Sequence, residues 1–215
     1  PTLQFGGTVT VNGGVGDTLV IAAGGLQRLS ADTINTALEI EAGGELRADP
    51  GISTIGTAAG EFLQAGLLQV VANSSNGNAT LNVSQGFTND GTIRLDNVSN
   101  GGYTSTLTVS GSPLVNHGLI ELLSTGTNTS GARIINASVD NQGTIDVDHN
   151  TTINGGPLLT AMGTIDVAAN KVLTVSTTSM TVGSDTVLQG TGTINLAATM
   201  ALNLVSDFTI TSTTP

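Results

Sequence analysis

The stretch Val139-Asp140-Asn141-Gln142-Gly143-Thr144-Ile145-Asp146-Val147-Asp148 decides the fold. It reads as an apolar residue, a short polar turn with Asn, a Gly, and then alternation of polar and apolar side chains. Period-two alternation places one set of side chains inward and the other outward on a strand. The pattern returns upstream in Phe87-Thr88-Asn89-Asp90-Gly91-Thr92-Ile93-Arg94-Leu95-Asp96 and in Leu114-Val115-Asn116-His117-Gly118-Leu119-Ile120-Glu121-Leu122. Looser copies are Leu159-Thr160-Ala161-Met162-Gly163-Thr164-Ile165-Asp166-Val167 and Gly192-Thr193-Ile194-Asn195-Leu196.

Taking the Gly that opens the alternating strand as a marker gives Gly7, Gly24, Gly44, Gly66, Gly91, Gly118, Gly143, Gly163 and Gly192, with Gly25 fitting nearly as well as Gly24. Repeats of this length belong to solenoids, in which each unit packs only on its neighbours. A second alternating strand precedes most markers, as in Ala79–Ser84, Thr104–Ser110, Ala132–Asn136 and Lys171–Val175, and a short third element lies just before the Gly, as in Pro113–Asn116. Three short strands per repeat make one turn of a parallel β-helix. The expected fold is all-β, a β-solenoid of about eight or nine rungs with three short strands per rung. Rungs stacked at ~4.8 Å would give a rod of roughly 40 Å. Residues 1–215 read as one solenoid segment, less regular over 1–60 and clearly repeating over 61–215. No capping element is apparent at either end, so continuation in a longer parent chain is expected.

Within this scheme the marker glycines Gly91, Gly118, Gly143, Gly163 and Gly192 are expected to turn the chain at positive φ. Asn89, Asn116 and Asn141 hold one repeat position and would form an amide stack. Polar loops are expected at 73–78, 97–102, 125–131, 150–156 and 177–185. The loops 97–102 and 125–131 are candidate contact surfaces. No long helix is expected.

Composition narrows the function. Five basic and sixteen acidic residues give a net charge of −11. That disfavours nucleic acid, which is held by Lys and Arg on phosphate, and anionic membrane surfaces. Cysteine is absent, so no disulfide framework or thiolate metal site exists. No apolar run is long enough for membrane insertion as a helix.

The quoted repeats Phe87–Asp96, Leu114–Leu122, Val139–Asp148 and Leu159–Val167 resemble those of large bacterial surface proteins: filamentous-haemagglutinin-like exoproteins of two-partner secretion and passenger regions of autotransporter adhesins. The resemblance covers residues 60–200 and, faintly, 1–60. It implies a right-handed parallel β-helix, secretion to the bacterial cell surface, and a role in adhesion or biofilm formation. Glycans, other surface molecules or further copies of the chain are the implied partners. No secretion domain or translocator barrel is recognisable here.

The candidate binding residues are outward carboxylates. Glu121, Asp146 and Asp166 sit three residues after their marker Gly in successive rungs, with Asp148 nearby. Stacked carboxylates repel, so one pKa would rise or a cation would sit between them. A Ca²⁺ ion would need six to eight oxygens; no other cofactor or metal is implied. Arg94 shares the repeat position of Glu121, and an exposed ion pair there would contribute ~0.2–1 kcal/mol.

Some parallel β-helices are polysaccharide lyases, hydrolases or phage tailspikes, and that is the alternative reading. Catalysis would need two carboxyl groups across a cleft with cations to stabilise developing charge. Lys171 and four Arg are the only cations, and no catalytic residue is assigned. Asp148-His149 does not make an oriented base, because neighbours on a strand face opposite ways. The Thr-x-Thr triplets Thr8-Val9-Thr10, Thr106-Leu107-Thr108 and Thr209-Ile210-Thr211 would order water against ice only if Thr pairs lined up on one flat side. Read as sequence, they do not recur rung after rung. The Asn-x-Ser/Thr sequons, such as Asn82-Val83-Ser84, would allow glycosylation.

Overall fold

A computed structural model describes residues 2–4, 8–14, 16–56, 61–74, 77–127, 130–160 and 162–206. The chain coils through three parallel sheets, A, B and C, visited in that order in every rung. Each sheet has nine strands among the described residues, and each strand pairs with its counterparts in the rungs before and after. Sheet A holds Thr92–Asn97, Leu119–Leu122, Thr144–Val147 and Thr164–Val167; sheet B holds Ala79–Val83, Ser105–Val109, Arg133–Asn136 and Thr151–Asn154; sheet C holds Phe87–Asn89, Leu114–Asn116, Val139–Asn141 and Leu158–Thr160. Among the described residues no strand is longer than six residues and there is no helix. This is the expected parallel β-solenoid.

The core follows from the alternation. Ile93, Ile120, Ile145 and Ile165 stack in register inside sheet A, and Leu95, Leu122, Val147 and Val167 form the next inward column. Leu81, Leu107, Ile135 and Ile153 do the same inside sheet B. With so few aromatics, the fill is almost all aliphatic. Phe62 and Phe87 are the exception, their ring centroids 4.5 Å apart inside sheet C.

The marker glycines sit where sheet C turns into sheet A, but not for the expected reason. Gly91, Gly118, Gly143, Gly163 and Gly192, like Gly44 and Gly66, are absent from the residues with positive φ, whereas Gly24 has φ +73°. They are glycines because rungs touch there. A Cβ on Gly118 would stand 2.1 Å from the carbonyl oxygen of Gly91, and one on Gly143 2.2 Å from that of Gly118. Each such carbonyl accepts from the N–H after the next glycine, as Leu119 to Gly91 (3.0 Å) and Thr144 to Gly118 (2.9 Å). The column is a close-approach seam.

Three markers shift. Gly25, which directly precedes the sheet A strand Leu26–Leu29, takes the place given to Gly24. Gly192 opens Thr193–Leu196 of sheet B; in that rung the sheet A strand is Val187–Gly190, and Thr186 fills the glycine position. Gly7 lies outside the described residues, but the strand after it, Thr10–Asn12, is also in sheet B. Glycines at other corners misled the count.

Two expected loops are partly strand. Thr151–Asn154 belongs to sheet B and Ser179–Val182 to sheet C. Ile153, Met180 and Val182 are buried and supply the apolar half of the alternation that Thr and Ser obscure. Residues 98–102 and the described residues 125–127 and 130–131 lie at the corner between sheets A and B, with Ser99 and Gly131 buried there.

Candidate functional site

The rod presents three outward faces that differ in chemistry. On sheet A one register column runs Arg28, Arg47, Gln69, Arg94, Glu121, Asp146, Asp166, Gln189. The expected carboxylate stack is therefore real. Arg94 meets Glu121 at 2.7 Å, and Gln189 donates to Asp166 Oδ2 at 2.7 Å. Asp146 has its pKa raised, first by partial burial and then by the charges of Asp148, Asp166 and Glu121. Asp148 lies one residue past the strand and is exposed. No group of three or more His, Asp or Glu side chains among the described residues is arranged to hold a metal ion.

Behind the glycine seam runs a buried polar ladder. Asn89 Nδ2 donates to Asn116 Oδ1 (2.6 Å), and Asn116 Nδ2 donates to Asn141 Oδ1 (2.7 Å). The same nitrogens reach the strand of the next rung, at Leu119 O (3.2 Å), Thr144 O (3.1 Å) and, from Asn141, Thr164 O (3.0 Å). Gln64 continues the ladder below, accepting from Gly91 N–H and donating to Gly66 O and Thr92 O. Thr160 continues it above, accepting from Asn141. Gln64 was legible: it stands two residues before Gly66, as Asn89 stands two before Gly91.

Arg133 is the residue the sequence reading passed over. It occupies an inward position of sheet B and is fully buried. Its Nε donates to Leu123 O (2.6 Å) and its Nη1 to Ala132 O (2.9 Å), Tyr103 O (3.2 Å) and Gly131 O (3.4 Å). It thus ties both ends of the 125–131 loop to the loop below. Burial lowers its pKa to about 10, with Asp96 opposing. Asp96, also buried, accepts from Thr125 N–H and Oγ1 at 2.8 and 2.7 Å. His149 Nε2 bonds Gly131 O at 2.5 Å. Because a carbonyl only accepts, that nitrogen carries the proton. Burial lowers the pKa of His149, and nearby Arg133 and Lys171 add to the effect. Asp148 exposed beside His149 buried is the opposite-face arrangement expected from alternation. His117 is exposed and pairs with Asp90 across rungs at 2.9 Å.

Sheet B differs most from expectation. Its outward columns read Ile52, Thr80, Thr106, Ile134, Thr152, Thr174, Asn195 and Thr33, Thr54, Asn82, Thr108, Asn136, Asn154, Ser176, each in register from rung to rung. The triplet Thr106-Leu107-Thr108 is therefore part of a continuous array in which Asn, Ser and Ile share positions with Thr, and Thr10 pairs with Thr33 at its start; Thr209-Ile210-Thr211 lies outside the described residues. Asn154 Nδ2 donates to Asn136 Oδ1 (2.5 Å), and Asn136 Nδ2 to Thr108 Oγ1 (3.3 Å). Among the described residues, no charged side chain stands on this face.

Among the described residues, three cavities bear on the outward faces. A groove of about 770 Å³ on sheet C is lined by Phe62, Leu63, Phe87 and the carboxylates Glu39, Glu61 and Asp90. One of about 260 Å³ at the last rung is apolar, lined by Met180, Leu188, Leu196 and Leu204 among others. A third, of about 220 Å³, lies at the edge of sheet B and is lined by Ser130, His149, Asn150, Thr152 and Thr174 among others. Glu121, Asp146, Asp148 and Asp166 line none of the three. Comparison of the chain with protein-family models, curated proteins and solved structures finds no match.

Proposed function

We propose that this chain is a structural and binding segment of a bacterial adhesin or filament, working in secreted form or at the cell surface. The observation that carries this is the regular rod with chemically sorted faces. In the rungs between the two ends, alternate residues of each strand fill the core. What remains outside is a charged face on sheet A, an uncharged face on sheet B, the face of sheet C with its groove, and the loops at the corner between sheets A and B. Such a body displays polar surface over many rungs, and solenoids use extended surfaces of this kind for binding. Glycans, other surface molecules or further copies of the chain are the partners. The repeat resemblance described above supports the surface location.

Beads carrying the protein test this reading on surfaces coated with polysaccharides and on bacterial cell layers, with sedimentation as the measure of self-association. Retention above bare beads, or concentration-dependent association, is the expected result. Absence of both, or release of reducing ends or unsaturated uronates from a polysaccharide panel, would refute it. An antibody against the chain should label intact cells or the culture medium.

A further inference from the structure

We infer that the outward face of sheet B, centred on the cavity lined by Ser130, His149, Asn150, Thr152, Val172 and Thr174, is the docking surface for an uncharged glycan chain. This rests on the binding role proposed above and assigns it a face and a ligand class. The first observation is charge. The chain carries net charge −11, yet the described outward residues of sheet B are Thr, Asn, Ser, Ile and Val172, none of them charged. Anionic polymers are repelled by the molecule as a whole, and a cationic one finds no counter-charge here.

The second observation is hydrogen-bonding capacity. Threonine hydroxyls and asparagine amides both donate and accept, as sugar hydroxyls do. They recur at the rung spacing of ~4.8 Å, so an extended polymer can lie along the rod and meet equivalent groups repeatedly. Methyl groups of Thr, with Ile52 and Ile134, offer apolar contact to the C–H faces of sugar rings.

The third is the cavity, about 220 Å³, which adds a recess where the face meets the residues leading into its strands. A flat array alone would serve ordered water or a second copy of the chain equally well; a polar recess favours a partner with units to insert. Asn150 Oδ1 accepts from Val172 N–H at 3.0 Å, which fixes the amide and leaves its NH₂ as donor. His149 stays neutral at neutral pH because burial lowers its pKa. The recess is therefore polar without charge. Lys171 precedes Val172 but does not line it.

The test is retention of the intact protein on cellulose, chitin, β-1,3-glucan and dextran, against alginate and polygalacturonate as anionic controls. Thr152→Glu and Thr174→Glu place charge on the face; Thr181→Glu places the same charge on sheet C instead. Circular dichroism and melting temperature establish that each variant folds. The expected result is retention on at least one uncharged glycan, insensitive to salt, weakened at least tenfold by either sheet B variant and unchanged in Thr181→Glu. Retention lost in Thr181→Glu but kept in both sheet B variants overturns the inference while leaving the adhesin reading intact. So does a panel on which only the anionic glycans bind, or none. If the sheet B variants abolish sedimentation-detected dimers or thermal hysteresis in ice instead, the face has another occupant. Failure of all binding and of self-association sinks both readings together.

Discussion

Replacing Asn116 should separate the ladder's hydrogen bonds from simple filling of space. Its amide accepts from Asn89 at 2.6 Å and donates to Asn141 at 2.7 Å and Thr144 O at 3.1 Å, with no exposure to solvent. Asn116→Leu keeps the branched shape, with bulkier methyl tips, and removes all three. Asn141 Oδ1 is then a buried acceptor without this donor, at a cost of about 1–3 kcal/mol, and the lost bonds add about 0.5–1.5 kcal/mol each. A net loss of about 3 kcal/mol follows. Asn116→Asp is the sharper probe. Protonated, the carboxyl can still accept from Asn89 and donate to Asn141. Ionised, it places a charge in the core against the Asn141 oxygen, so its folded pKa must rise above the unfolded value of about 3.9. A raised folded pKa means that stability is fully present below pH ~3.9 and is lost as pH climbs through the folded pKa. Each unit of that rise removes about 1.4 kcal/mol at neutral pH. Urea unfolding of wild type, N116L and N116D from pH 3 to 8 measures this, with the exposed Asn203→Asp as control. A wild-type-like N116L, or an N116D whose deficit does not grow with pH, would refute the ladder as a source of stability.

Gly118→Ala should destabilise by about 3 kcal/mol or more by thermal melting, because its Cβ would meet a backbone carbonyl at 2.1 Å and well-packed interiors resist such insertion. Gly43→Ala, at φ +81°, should cost only about 1–2 kcal/mol. Arg133→Ala should remove about 3 kcal/mol by leaving buried carbonyls unpaired, and hydrogen exchange should rise over residues 123–132 more than elsewhere. The lowered pKa of His149 means that the unfolded chain takes up its proton first. Wild type should therefore lose stability as pH falls below about 6.5, and a His149→Gln chain should lack that part of the decline. Asp146→Asn should raise the melting temperature at pH 7 but not at pH 3. The raised pKa of Asp146 makes its ionised form the unfavourable one in the folded state.

The fold was legible because each rung repeats one line of physics. Leu-x-x-x-Gly-x-Ile-x-Val patterns announce an inward column and a turn, and the amide stack of Asn89, Asn116 and Asn141 was readable from spacing alone. Glycine showed where the turn lies but not why, since a close approach between rungs leaves no trace that distinguishes it from positive φ. Thr186 in the glycine place shows that the seam takes a side chain in that rung, where the hydroxyl donates to Thr160 O and accepts from Gly183 N–H. The carboxylate column on sheet A was visible because its members share an offset from Gly. The uncharged face of sheet B was not. Its strands follow loops of unequal length, so Thr106, Thr152 and Thr174 fall out of step in the sequence and come into line only when sheet A sets the register. Arg133 was hidden by its type, because a lone cation in a Thr- and Ile-rich strand reads as solvent-facing until Ile135, two residues on, is seen in the core.

The parallel pairing has a mechanical corollary. Inter-strand hydrogen bonds of all three sheets lie along the long axis, so tension applied end to end loads them in series, one coil at a time. Under pull such a body frays from whichever tip is gripped and pays out chain in increments of a single turn. A fibre built this way would dissipate force gradually and re-wind from the coils still seated.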